Sequence, residues 1–142
     1  MRVGITFGTF DLLHIGHVNI LERSKQACDF LVVGVSTDAL NFSKKQAYPV
    51  YSEQERLKII ASLRMVDQVF LEESLEKKRD YIQQYKANLL IMGDDWAGKF
   101  DFCSDLCEVL YLPRTPHIST TSVKAEVFTR HISQVQRKTA GT

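Results

Sequence analysis

The stretch GTFDLLHIGH, residues Gly8 to His17, decides how this chain begins to fold. It follows the short apolar run of residues 3–7, which is typical of a buried strand, and apolar residues recur at helical spacing behind it. Gly8 permits a sharp turn between the two. A helix that opens directly after a strand presents free N–H groups and the positive end of its dipole. The stretch therefore predicts a phosphate site.

Four more strands are predicted, over residues 30–36, 67–71, 88–92 and 108–112. Helical patterns separate them: one begins at the capping-box sequence Ser52–Glu55, one covers residues 75–85, and one runs from Thr120 to about Ser133. Strands that are apolar throughout and alternate with helices favour a parallel sheet covered on both faces. We therefore expect an α/β fold, a Rossmann-like three-layer sandwich with a five-stranded parallel sheet.

Polar segments follow the predicted strands at residues 8–17, 37–45, 93–99 and 114–121, which we interpret as loops. In parallel sheets, ligands bind outside the carboxyl ends of the strands, near the point where the strand order reverses. The four loops are therefore expected to form one site on one edge of the sheet.

Composition sets wider limits. The chain has 142 residues, 25% of them charged, and a net charge of +1, which gives no field for nucleic acid or an anionic membrane. Three cysteines are too few for a disulfide framework, and we expect ordinary packing for all three. No signal peptide is recognised, so we expect a cytoplasmic protein. We expect one domain over residues 1–133 and a polar tail over 134–142 that frays.

Two sets of side chains are candidates for phosphate binding. His14 and His17 can donate hydrogen bonds to a phosphoryl group, with Gly16 leaving room for a ligand; surface or metal-binding histidines are the alternative. Three hydroxyl residues, Ser119 to Thr121, open the last predicted helix behind Arg114. Capping explains one of them, and phosphate binding accounts for all three.

Three blocks together resemble the cytidylyltransferase branch of the HxGH nucleotidyltransferase superfamily. They are GTFDLLHIGH, MGDDWAGKFD at residues 92–101, and RTPHISTT at residues 114–121. The resemblance extends over nearly the whole chain, in the same order, and implies the HxGH nucleotidyltransferase type of fold. The middle block also fits GxxxxGK, the start of a P-loop. However, Phe100 stands where a P-loop has the Ser or Thr whose hydroxyl binds Mg²⁺, and two aspartates in the loop would repel phosphate. We therefore reject a P-loop.

The resemblance implies transfer of CMP from CTP, with Mg²⁺, to a phosphorylated alcohol, glycerol 3-phosphate being the expected one, in a homodimer. It implies direct attack on the α-phosphorus, with His14, His17, Lys44 and Arg114 catalytic and no protein-held metal. The expected nucleotide-binding residues are Gly8, Thr9, Phe10, Asp11, His14, His17, Gly93, Asp94, Arg114, Ile118, Ser119, Thr120 and Thr121. The expected acceptor-binding residues are Asp38, Lys44, Arg56, Arg64 and Asp67.

The chain departs from the branch at three positions. His117 stands where the pattern has glycine, Pro116 where glutamate is common, and Leu75 near a usual tryptophan. Other acceptors therefore stay open: a polyol phosphate, phosphocholine, phosphoethanolamine or a phosphorylated amide. So do an ATP-dependent adenylyltransferase and, in another class, a non-catalytic nucleotide-binding regulator. Trp96 is open between packing and ligand contact.

Overall fold

A parallel sheet of five strands, in the order β3-β2-β1-β4-β5, forms the centre of the fold. We analysed a computed structural model, which describes residues 1–140. The strands are β1 Val3–Gly8, β2 Phe30–Ser36, β3 Gln68–Glu72, β4 Leu89–Gly93 and β5 Glu108–Leu112. All four strand pairs are parallel, so the predicted sheet is confirmed. β3 and β4 each begin one residue later than predicted.

Helices cover both faces of the sheet. They are α1 Ile15–Gln26, α2 Asp38–Lys45, α3 Glu53–Ala61, α4 Lys78–Gln84 and α5 Thr120–Ala140, with 3₁₀ turns at Leu75–Lys77, Asp94–Trp96 and Asp101–Cys103. On one face, Leu21 of α1 and Ile60 of α3 pack in a cluster with Val33 of β2. On the other, Ile82 of α4 packs with Ile5 of β1. Since the sheet lies between two apolar layers, the predicted three-layer sandwich is confirmed.

The strand order reverses beside β1. The chain leaves β1 towards β2 and β3, and returns on the other side of β1 to form β4 and β5. Connections diverge at this point, which leaves a crevice at the carboxyl ends of β1 and β4. Gly8 and Gly93 are the last residues of these two strands.

The segment of residues 37–45, predicted as a loop, is helix α2. Thr37 is its N-cap, and the Thr37 hydroxyl accepts a hydrogen bond from Leu40 N at 3.1 Å. Helix α2 ends at Lys45, and its C-cap, Gln46, has a left-handed backbone with φ 58°. A Thr-Asp start is a helix signal in itself, and the polar composition of the segment obscured it.

Helix α5 also continues past its predicted end, to Ala140. Residues 120–140 contain neither glycine nor proline, so nothing in their sequence stops the helix at residue 133. The expected frayed tail is therefore helical over residues 134–140, and residues 141–142 lie outside the described part. Cys103 and Cys107 are buried in the core, as predicted, and Cys28 is half-buried. Among residues 1–140, no helix has both the length and the apolar character that a membrane span needs.

Arg56 of α3 ties together the edge of the sheet at which the crevice opens. Its side chain is fully buried. Its guanidinium donates to the carbonyl oxygens of Thr9 (2.9 Å), Ser36 (2.7 Å) and Tyr51 (3.0 Å), and to Asp38 Oδ1 (2.7 Å). These partners follow β1, end β2, precede α3 and begin α2. One side chain therefore fixes four segments where they leave the sheet.

We expect Arg56→Met to lower the free energy of unfolding by about 3–5 kcal/mol, because the substitution leaves buried carbonyls and the Asp38 carboxylate without their donor. Arg64→Met is the matched control. Arg64 lies exposed beyond the end of α3, and its replacement should change stability by no more than about 0.5 kcal/mol. Urea unfolding of the two variants measures the difference. Equal midpoints would contradict the bracing role of Arg56.

Candidate active site

The two histidines of the first motif form the start of α1. His14 is the N-cap, and its Nδ1 accepts a hydrogen bond from Gly16 N at 3.0 Å. His17 is the third helical residue, and its Nδ1 accepts from His14 N at 3.2 Å. This reciprocal arrangement is a capping box made by imidazoles. The spacing of three in HxxH is therefore the spacing that a helix start requires.

The hydrogen bonds also fix the tautomer of both rings. Since each Nδ1 accepts a hydrogen bond, the proton of each neutral imidazole is on Nε2. The rings stack with their centroids 3.7 Å apart. Burial lowers the pKa of His17 to about 4, with the neighbouring His14 ring contributing. The pKa of His14 is lowered by burial and by Arg114. Both rings are thus neutral Nε2–H donors near pH 7.

Gly16 leaves the space that this stacking needs. A Cβ on Gly16 would lie 2.8 Å from Cε1 of the His14 ring and 3.2 Å from Ile118. Any larger residue would therefore push the first histidine out of its capping position. The glycine between the two histidines therefore allows the His14 ring to take its place.

A cavity of about 360 Å³ opens at the carboxyl ends of β1 and β4, beside both histidines. The predicted residues that line it are Gly8, Thr9, Phe10, Asp11, His14, His17, Gly93, Arg114, Ile118, Ser119, Thr120 and Thr121. The structure therefore brings nearly all of the predicted nucleotide-binding residues to one place. Asp94 is the exception, because its neighbours Asp95 and Trp96 take up the wall of the cavity instead.

The start of α5 faces this cavity. Ser119 and Ser122 cap the helix reciprocally, through Ser122 N to Ser119 Oγ at 3.0 Å and Ser119 N to Ser122 Oγ at 2.9 Å. The Thr120 hydroxyl donates to the Asp11 carbonyl oxygen at 2.9 Å. Ser119 thus caps the helix and Thr120 joins it to the first motif. All three residues from Ser119 to Thr121 line the cavity.

Asp11 holds the segment that follows α2. Its carboxylate accepts hydrogen bonds from Val50 N at 2.7 Å and Tyr51 N at 3.0 Å, and it is almost fully buried. Ala47, Tyr48 and Pro49 of the same segment line the cavity. Asp11, predicted to bind nucleotide, therefore anchors one wall of the site by its side chain.

Cations lie around the cavity with loosely held partners. Arg114 is 3.8 Å from Asp95, and Lys124 is 3.9 Å from Asp11. Lys45 also lines the cavity, whereas Lys44, the lysine predicted from the resemblance, does not. Lys44 is exposed on α2 instead, and the charge of Glu72 partly offsets the lowering of the Lys44 pKa by desolvation.

The structure does not bring the other predicted acceptor residues to the cavity. Asp38 and Arg56 are paired with each other at 2.7 Å. Arg64 and Asp67 lie at the opposite edge of the sheet, because both precede β3 and β3 begins there. Asp67 accepts from Leu31 N at 2.8 Å and pairs with Lys25. Asp67 was predicted at a strand end, but it lies at the start of β3, on the side of the sheet away from the cavity.

Sequence reasoning missed Asn41, Lys45, Tyr48, Asp95 and Lys124, all of which line the cavity. Lys124 follows Thr120 by one helical turn, so it could have been found from the predicted helix. Asn41 and Lys45 lie on α2, so they could have been found only if that helix had been predicted. Trp96, left open between packing and ligand contact, lines the cavity and also packs on Phe100, with 5.4 Å between the ring centroids.

His117 has a left-handed backbone, φ 63°, which explains why the family pattern places glycine there. Its side chain lies at a groove with Val123, Glu126 and Arg130, on a different face of α5 from the cavity. Leu75 is partly exposed before α4 and does not line the cavity.

The described residues, 1–140, contain no cluster of three side chains suited to hold a metal ion. Both oxygens of the Asp11 carboxylate already accept backbone hydrogen bonds. The oxygen donors of the cavity therefore fit an ion that keeps its water and arrives with a phosphate ligand, as Mg²⁺ does.

A doubly wound sheet with imidazole donors and a helix start at its reversal point defines a nucleotide-binding α/β protein. Residues 5–126 match the family model described as cytidylyltransferase-like, and the chain belongs to that family.

Curated relatives agree with this assignment, and a solved structure has a similar fold. The chain is 51% identical over 128 residues to the glycerol-3-phosphate cytidylyltransferase of Bacillus subtilis (strain 168), covering 89% of this chain and 98% of the relative. It is 43% identical over 129 residues to that of Staphylococcus aureus (strain NCTC 8325 / PS 47), covering 90% and 96%. The lipopolysaccharide core biosynthesis protein from Thermoplasma volcanium GSS1 has a similar fold, with a TM-score of 0.72, 24% identity, and coverage of 81% and 98%.

We expect the His17 imidazole to stay neutral in the folded protein down to about pH 4, with its proton on Nε2. The unfolded chain takes up this proton near pH 6.5, so stability should fall as the pH drops from about 6.5 towards 4. Two-dimensional ¹H–¹⁵N spectra of the imidazoles measure tautomer and midpoint together, and His17→Asn identifies the signal. A midpoint above 6, or a proton on Nδ1, would contradict the capping geometry.

Proposed function

We propose that this protein transfers CMP from CTP to glycerol 3-phosphate, giving CDP-glycerol and pyrophosphate. The observation that carries the proposal is the pair of Nε2–H donors, His14 and His17, at the cavity that the start of α5 also lines. The names of the curated relatives support the choice of CTP and glycerol 3-phosphate.

The triphosphate of CTP is placed between the two helix starts. In this arrangement the histidines donate to the α-phosphate, and the backbone N–H groups and hydroxyls of Ser119 to Thr121 meet the β- and γ-phosphates. Arg114 and Lys124 exchange their loose carboxylate partners for phosphate. The cytidine then lies towards Gly93, Asp95 and Trp96, which form the wall beyond β4.

The chemistry is a direct in-line displacement. A phosphate oxygen of glycerol 3-phosphate attacks the α-phosphorus, and the bond from that phosphorus to the oxygen bridging to the β-phosphate breaks. Pyrophosphate leaves with the bonding electrons. The attacking oxygen is already anionic, so no strong base and no covalent enzyme intermediate are needed. The protein supplies positions and charge stabilisation.

Neutral histidines suit this role. A neutral Nε2–H donates to the α-phosphate as negative charge builds on its oxygens, and it holds its proton throughout because Nδ1 is occupied as an acceptor. Mg²⁺ bound to the triphosphate would supply further charge neutralisation on the leaving group.

The acceptor phosphate is placed on the side of α2, where Lys45 lines the cavity and Lys44 precedes it on the same helix. Lys44 keeps its proposed part in binding the acceptor and in catalysis. Asp38 and Arg56 support this side indirectly, because their ion pair fixes the start of α2. We also propose that the enzyme is cytoplasmic, where CTP is available, and homodimeric, as the family resemblance implies; sedimentation of the purified chain tests the dimer.

With Mg²⁺, CTP and glycerol 3-phosphate, we expect rapid release of pyrophosphate and formation of CDP-glycerol. ATP in place of CTP should give a far lower rate, since the relatives are cytidylyltransferases. A coupled pyrophosphate assay measures both. Release with ATP alone would favour an adenylyltransferase, binding of CTP without release would favour a regulator, and release with another phosphorylated alcohol would replace the acceptor.

The two functions of His17 can be separated by amide substitutions. His17→Asn retains an acceptor near the position of Nδ1 and loses the distal donor, so the helix should remain capped while kcat falls about 10²–10³-fold with little change in KM. His17→Gln keeps a distal donor and should retain more activity. His131→Asn, on the exposed face of α5, is the control and should match the parent chain. An unchanged kcat for His17→Asn would remove the histidine from the reaction.

A further inference from the structure

The aromatic side chain of Tyr48 lies at the edge of the cavity and has no part in the mechanism so far. Tyr48 lines the cavity and is 64% exposed. Its ring stacks on that of Phe42 of α2, with 4.7 Å between the ring centroids and 24° between the ring planes. Exposing a large aromatic ring gives up apolar burial, so a ring held open at a binding cavity indicates a ligand contact.

The backbone on both sides of Tyr48 is fixed. On one side, Gln46 N donates to the Phe42 carbonyl oxygen at 2.8 Å. On the other, Val50 N donates to the Asp11 carboxylate at 2.7 Å. Together with the stacking on Phe42, these bonds set the place of the Tyr48 ring before any ligand binds, which lowers the entropy cost of binding.

The hydroxyl of Tyr48 is available to a ligand. The chain has five tyrosines. The Tyr81 hydroxyl accepts from Glu73 N at 3.0 Å, and the Tyr111 hydroxyl donates to Asp101 at 2.9 Å. Within residues 1–140, the hydroxyls of the other three tyrosines have no hydrogen-bond partner, and of these three only Tyr48 lines the cavity.

Tyr48 lies on the acceptor side of the proposed reaction. It follows α2, which follows β2, whereas the wall with Gly93 and Trp96 follows β4, and these two strands flank β1 on opposite sides. The cytidine is placed beside β4, so the side chain that follows α2 is left for the acceptor. Lys45, at the end of α2, lines the same cavity.

We propose that the Tyr48 hydroxyl hydrogen-bonds to a hydroxyl group on the carbon chain of the acceptor, and so selects a phosphorylated polyhydroxy alcohol over an amino-alcohol phosphate. This inference rests on the proposed function, in which the acceptor phosphate lies on the side of α2. A phenol hydroxyl can both donate to an alcohol and accept from one. The positive charge of Lys45 on that side disfavours an ammonium group there.

Tyr48→Phe removes the hydroxyl and keeps the ring with its stacking on Phe42. We expect kcat/KM for glycerol 3-phosphate to fall about five- to tenfold, the usual effect of losing one hydrogen bond between neutral groups. Propyl phosphate has the same phosphate and carbon chain without hydroxyl groups, so its inhibition constant against glycerol 3-phosphate should not change. KM for CTP should not change either.

The experiment measures CDP-glycerol formation at saturating CTP and Mg²⁺, with glycerol 3-phosphate varied in the presence and absence of propyl phosphate. Propyl phosphate competes for the acceptor site whether or not it reacts. Tyr85→Phe is the control and should match the parent chain, because the Tyr85 hydroxyl also has no partner within residues 1–140 and Tyr85 does not line the cavity.

A loss of kcat/KM for glycerol 3-phosphate in Tyr48→Phe, with unchanged inhibition by propyl phosphate, would support the proposal. An unchanged kcat/KM would overturn it. So would an equal weakening of both ligands, because a merely structural tyrosine acts on both alike. A parent chain that is inactive with CTP and glycerol 3-phosphate would instead refute the proposed function, so the two failures are distinguishable.

Discussion

The buried guanidinium of Arg56 is the interaction on which the functional edge of the sheet depends. It donates to the carbonyl oxygens of Thr9, Ser36 and Tyr51 and to the carboxylate of Asp38. A fully buried cation is tolerated only when it is paired and hydrogen-bonded. The four segments are therefore held in one arrangement, and the first motif, α2 and the start of α3 all extend from it. An arginine that does not line the cavity thus determines where the cavity-lining segments stand.

The site is assembled from two helix starts that cap themselves with their own functional residues. His14 and His17 cap α1 through Nδ1, which leaves Nε2–H for the cavity. Ser119 and Ser122 cap α5, and Thr120 joins α5 to the backbone of Asp11. The hydrogen bonds that stabilise the helices also orient the donors. Preorganised donors of this kind need little reorganisation when charge develops on a phosphoryl group.

The positive charges of the site are concentrated at one cavity, and their carboxylate partners are distant. The chain as a whole carries a net charge of +1, yet Lys45, Arg114 and Lys124 all line one cavity. The carboxylate partners of Arg114 and Lys124 lie at 3.8 and 3.9 Å, beyond ordinary hydrogen-bond distance. Exchanging such partners for phosphate oxygens costs little. The close ion pair of Arg56 with Asp38, by contrast, stabilises the structure behind the cavity.

The sequence by itself determined the sheet, its two covered faces and the edge at which the site lies, because apolar strand periodicity and the polar segments after strand ends are local properties. It also located the histidine pair and the residues at the start of α5, since both belong to contiguous motifs. Helix α2 was missed because its polar composition concealed the Thr37 cap. Only the tertiary structure decided which side chains of the right type line the cavity. The direction in which a side chain leaves its helix or turn decides that Lys45 lines the cavity rather than Lys44, and Asp95 rather than Asp94. The same direction buries Arg56 behind the cavity. That direction is set by long-range contacts, and Asp67 lies at the far edge because the chain enters β3 there rather than leaving it.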